Sequence, residues 1–136
     1  MRKIIILASI TVLATTITSF VSWKEIGMRL EPVTYTGTID KLPITMYISN
    51  VDAKTGNISG YYNYNEKSTN ITLTGNSKRN GITNLTEMVN TKITGKFTGK
   101  YSCQHNSDAC SYDGTWKSPD GKESYKFTVS PEMGDE

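Results

Sequence analysis

From Val33 to Val129 apolar and polar residues alternate with a period of two, the pattern of strands that turn one face away from water. Eight segments carry it: Val33–Ile39, Pro43–Val51, Ile58–Tyr64, Thr69–Gly75, Ile82–Met88, Lys92–Gly99, Tyr112–Lys117 and Ser124–Val129. In the second, Ile44, Met46 and Ile48 share a face opposite Thr45, Tyr47 and Ser49. The inward phase then runs through Ile58, Gly60, Tyr62 and Tyr64, Ile71 and Leu73, and Leu85 and Glu87. It continues through Ile93, Gly95, Phe97 and Gly99, then Tyr112, Gly114 and Trp116, then Tyr125, Phe127 and Val129. Turn chemistry separates the segments, at Asp52–Asn57, at Asn80-Gly81 and at Ser118-Pro119-Asp120-Gly121.

This predicts an all-β fold, a single antiparallel eight-stranded meander. An open meander leaves two unpaired edges, and closing it as a small barrel removes them. Eight strands enclose just enough space for their own side chains or for one small ligand. A two-sheet sandwich is the alternative packing. Ahead of the strands, Trp23, Ile26 and Leu30 fall near one helical face and Pro32 would end a helix, while Gly27 opposes one. That segment reads as a short helix or an irregular lead-in. Thr is the commonest residue, and Ala and Leu are scarce beyond the leader, which excludes a helical bundle.

The start of the chain is of another kind. Met1-Arg2-Lys3 is basic, and Ile4 to Val21 carries no charge. That is the order of a secretory signal. An uncleaved anchor is the rival reading, because this stretch is just long enough to span a bilayer, although six Ser and Thr interrupt it. In a chain of 136 residues the organisation is therefore a signal peptide over 1–22, a lead-in over 23–32, one barrel domain over 33–130 and a tail over 131–136. The expected location is periplasmic or secreted.

Without Arg2 and Lys3 the formal charge of +2 falls to zero. The remaining charges are scattered along the chain, with Lys78-Arg79 the only basic pair. No basic stripe suited to a phosphate backbone is visible, so nucleic acid is not an expected partner. A membrane is expected only through the leader, if it stays uncleaved. One His and two Cys exclude multi-histidine and four-cysteine metal sites, and no cofactor is expected.

Export favours a disulfide between Cys103 and Cys110. Closing so short a loop contributes on the order of 2.5 kcal/mol. The spaced pattern Ile58-Ser59-Gly60-Tyr61-Tyr62, Ile71-Thr72-Leu73-Thr74-Gly75, Leu85-Thr86-Glu87, Thr94-Gly95-Lys96-Phe97-Thr98-Gly99 and Gly114-Thr115-Trp116 resembles a loose family of small exported bacterial proteins of unassigned function. In texture it is also similar to avidin and lipocalin barrels. A convincing set of avidin's biotin contacts is missing, so the resemblance implies fold and export and not chemistry.

Two constellations are candidate sites. The first is the stretch pinned by the two cysteines, with Gln104, His105, Asn106, Ser107 and Asp108. A rigid polar loop lowers the ordering cost of binding a partner; the bland alternative is a stapled surface loop. Metal ligation would need reduced thiols, and a Ser-His-Asp arrangement this close along one loop lacks the geometry for catalysis. The second is Glu87, on the inward phase, as a polar anchor beneath a cavity lined by Tyr62, Tyr64, Phe97 and Trp116. Its bland alternative is a carboxylate tied to a Tyr or a Lys near a strand end. Tyr47 and Tyr61 sit on the opposite phase and would form a patch if exposed together.

The expected function is that of an exported non-catalytic binding protein, not an enzyme. A protein partner engaged through the Cys103–Cys110 loop is the first expectation, as in an inhibitor or immunity module. A small-ligand carrier is the alternative. A filled interior would remove the carrier, and an open pocket of about 300 Å³ or more would support it.

Overall fold

A computed structural model describes residues 26–65, 69–104 and 109–132. The leader, Trp23, residues His105 to Asp108 and the end of the tail lie outside the described residues. The elements are β1 (Ile26–Gly27), β2 (Thr34–Ile39), β3 (Leu42–Val51), β4 (Asn57–Tyr64), β5 (Ile71–Ser77), β6 (Ile82–Val89), β7 (Lys92–Cys103), β8 (Cys110–Lys117) and β9 (Ser124–Pro131). Strands β2 to β9 pair in sequence order, all antiparallel, and β9 closes on β2 through Tyr35↔Pro131 to Ile39↔Phe127. The eight-stranded meander is therefore a closed barrel, which settles the choice against a sandwich. The eight expected strands are all present, with ends shifted by a few residues.

Alternation places the core as read. Tyr35, Ile44, Met46, Tyr62, Leu73, Leu85, Phe97, Tyr112, Phe127 and Val129 are all buried. Their rings interlock edge to face along the barrel: Tyr62 on Phe97 at 5.3 Å, Phe97 on Phe127 at 5.0 Å, and Phe127 on Tyr112 at 4.8 Å. The interior is filled through its middle by this stack. Ile93 departs from the expected phase. The register shifts between Glu87 and Met88, so that Glu87 faces Gly95 while Met88 faces Ile93. The extra residue, Thr94, forms a bulge that turns Ile93 outward, where it is 46% exposed.

The two ends of the barrel differ. At the end holding the Asp52–Gly56 and Lys78–Gly81 turns, the lead-in crosses the opening in extended form; no part of it within the described residues is helical. β1 pairs with Ser102 and Cys103. Leu30 is buried as a plug. Its N–H donates to Ser77 Oγ at 2.8 Å; Ser77 Oγ lies 2.7 Å from Thr83 Oγ1, which donates to the Gly81 carbonyl. Arg29 clamps the segment down, with Nε on the Ser77 carbonyl at 2.9 Å and Nη1 on the Ala53 carbonyl at 2.8 Å. Gly56 makes room for this clamp: its φ is +81°, and a Cβ there would overlap the Ser77 carbonyl.

Four phenols titrate unusually in this core. Burial pushes Tyr35, Tyr62, Tyr101 and Tyr112 above the ordinary tyrosine range. The folded form therefore keeps protons that the unfolded chain releases. The stability they contribute is full below the ordinary phenol value of about 10 and falls as pH climbs above it. An absorbance titration is expected to show these four ionising only together with alkaline loss of the circular dichroism signal. Ionisation of all tyrosines before that loss would contradict the burial described.

Candidate functional site

The opposite end carries the turns Asp40-Lys41, Asn90-Thr91 and Ser118–Glu123 and is not crossed by any described segment. Below it sits Glu87 on β6, buried at 4% exposure. Its carboxylate accepts three hydrogen bonds. Tyr62 Oη on β4 donates to Oε1 at 2.6 Å, Trp116 Nε1 on β8 donates to the same oxygen at 2.8 Å, and Thr94 Oγ1 in the β7 bulge donates to Oε2 at 2.8 Å. Three donors aimed at one carboxylate satisfy oxygens that burial alone would leave without partners. Glu87 is buried on the inward face, as the alternation expects. It is tied to a Tyr hydroxyl, as the bland alternative anticipated, and it joins four strands.

The bulge and Gly95 explain how. The bulge brings Thr94 Oγ1 within reach of Oε2. Gly95, directly across from Glu87, leaves the surface against which the Trp116 indole lies, since a Cβ there would sit 2.5 Å from Nε1 and 2.6 Å from Cε2. The indole thus lies against Gly95 with its N–H turned to Glu87.

Above this floor opens a recess of about 290 Å³. Trp116, Tyr64, Ile39 and Leu42 line it, together with Tyr125, Asp40 and Glu123. Trp116 and Tyr125 stack with centroids 5.9 Å apart and planes 22° apart. Leu42 at 56% and Tyr125 at 39% are among the few large apolar side chains left exposed. The expected cavity is corrected on this point: Tyr62 and Phe97 belong to the packed core, and only Tyr64 and Trp116 reach the open space. Alternation tells inside from outside but not depth along the barrel axis. Tyr125, Asp40 and Leu42 had a sequence signal, since all three flank turns at one end.

At the plugged end, the Cys103–Cys110 disulfide is present, and the two residues also face each other in the β7–β8 ladder. Gln104 is exposed, and its N–H donates to the Ala109 carbonyl at 3.0 Å. His105, Asn106 and Asp108 lie outside the described residues. The disulfide and the recess are therefore at opposite ends of the barrel. On the outer wall, Tyr47 and Tyr61 are cross-strand partners, stacked at 4.8 Å and half-buried. Among the described residues, no group of three His, Cys, Asp or Glu is placed to hold a metal.

Comparison with protein-family models, with curated proteins and with solved structures finds no match for this chain.

Proposed function

We propose that this is an exported, non-catalytic binding barrel that takes a small flat ligand in the recess at its open end. The single observation behind this reading is the contrast between the two ends. Among the described residues, one is closed by Leu30 and Arg29, and the other leaves Trp116, Tyr125 and Leu42 facing a recess. Such an arrangement, apolar walls with a few fixed polar groups, suits ligand capture. The volume lies just under the size set above for a carrier, so a small ligand fits and a bulky one does not. Asp40 and Glu123 at the rim make no ion pair among the described residues, which favours a cationic substituent over an anionic one. Lys41 and Lys122 stand on the same turns but do not line the recess. The disulfide is consistent with export, as is the leader composition.

Titration with benzamidine, followed by the fluorescence of Trp116, tests this. The expected result is a saturable change that is lost in Leu42→Ala with Tyr125→Ala, which keeps the Trp116 reporter, with benzyl alcohol weaker and benzoate weaker still. Binding of none of the three, or binding unaffected by that double substitution, would overturn the reading.

The inhibitor or immunity reading keeps one supporting feature, the disulfide-closed hairpin at the sealed end. Of the five polar residues in its loop only Gln104 is described, so the recess is the reading with geometry behind it.

A further inference from the structure

The lysines that look scattered along the chain are gathered by the sheet. Three rows of outward residues cross β6 to β9: Thr86–Lys96–Lys117–Ser124, Asn84–Thr98–Thr115–Lys126 and Ile82–Lys100–Asp113–Thr128. Four lysines and one acid occupy this wall. The acid, Asp113, is engaged by Ser111 Oγ at 2.7 Å and by Thr128 Oγ1. Lys96 and Lys117 are direct cross-strand partners. Like charges in that position repel, and among the described residues neither lysine has a carboxylate partner.

Beside this pair runs a groove of about 440 Å³ lined by Ile93, Lys96, Thr98, Lys117 and Pro119. Its floor is apolar because the Thr94 bulge expels Ile93 onto the outer wall, where the side chain stays 46% exposed. Asp120 stands on the adjoining turn, where its carboxylate accepts from the Lys122 N–H at 3.0 Å and from Ser118 Oγ at 2.7 Å; these bonds hold its pKa below the ordinary range, so it stays ionised, but it is tied to its own turn and pairs with neither lysine. The groove thus offers two adjacent cations at one side and a short apolar track at the other.

We infer that this groove is a second binding site, for a single-chain amphiphilic anion whose phosphate or carboxylate head bridges Lys96 and Lys117 while its alkyl chain lies on Ile93 and Pro119. The head relieves the repulsion between the lysines, and the chain covers the one aliphatic residue that the bulge leaves bare. This site lies on the outer wall and does not depend on the recess.

The test is titration of the purified protein with decyl phosphate at low salt by calorimetry, with decyltrimethylammonium and octyl glucoside as cationic and neutral controls. Decyl phosphate is expected to bind with an affinity that falls as salt rises. Lys96→Gln and Lys117→Gln are each expected to lower the affinity several-fold, and the double variant at least tenfold. Lys117→Glu removes binding while raising the thermal midpoint, because it replaces a repulsive pair with an attractive one. That rise separates lost binding from lost folding. Equal binding of octyl glucoside, full affinity in the double glutamine variant, or no binding of decyl phosphate would each overturn the proposal. So would binding confined to phosphatidylglycerol vesicles, which would make the wall a membrane contact instead.

Discussion

Replacing Glu87 with Leu is expected to cost at least 3 kcal/mol of folding stability and to release Trp116 from the recess floor. The substitution strands three donors at once, Tyr62 Oη, Trp116 Nε1 and Thr94 Oγ1. A buried donor without a partner costs about 1–3 kcal/mol, and Tyr62 is almost wholly enclosed. Glu87→Gln is the informative companion. Its amide oxygen still accepts from Tyr62 and Trp116, and its amide nitrogen can donate to the Thr94 hydroxyl after that hydroxyl rotates. The loss for Gln is expected to stay below about 1.5 kcal/mol. Denaturant unfolding of both variants checks the pair. Equal losses would mean that the carboxylate contributes through its charge and not through its acceptors.

A second large effect is expected at a residue without a side chain. Gly95→Val places carbon atoms where the Trp116 ring lies, and the first of them already falls within 2.6 Å of three ring atoms. Overpacking of this kind costs about 1–3 kcal/mol, and the lost indole bond to Glu87 carries it to the top of that range. The indole must swing upward into the recess. The binding readout is therefore expected to disappear even in the fraction of protein that stays folded, with Trp116 emission shifted toward that of a water-exposed ring. Unchanged emission and retained benzamidine binding would show that Gly95 is not what positions the indole.

The architecture was legible in the chain because an amphipathic strand repeats every second residue whatever its neighbours. That rule placed Ile44, Met46, Ile48, Phe97 and Tyr112 in the core. It failed at Ile93, where one extra residue reverses the phase; the one local mark, Gly95, is shared by Gly99 on the same strand, where the register does not shift. It also cannot grade depth: alternation alone does not separate Tyr62 and Phe97, which are packing, from Tyr64 and Trp116, which reach the recess. The lysine wall was hidden for another reason: Lys96 and Lys117 are neighbours only through strand register. The plug escaped notice as well. Leu30 suggested a helical face, and its actual partners, Ser77 and the turn beyond it, lie a third of the chain away.

The pairing of β2 with β9 sets how the barrel can be made. Tyr35 has to wait for Pro131, and Ile39 for Phe127, before the ring closes. Until synthesis has delivered nearly the whole domain, two strand borders remain open to any passing chain. Assembly therefore ends with its longest-range contact, which makes folding slow relative to a helical protein of the same size. A shortened chain lacking only the residues beyond Tyr125 would keep most of its core side chains and still expose both borders.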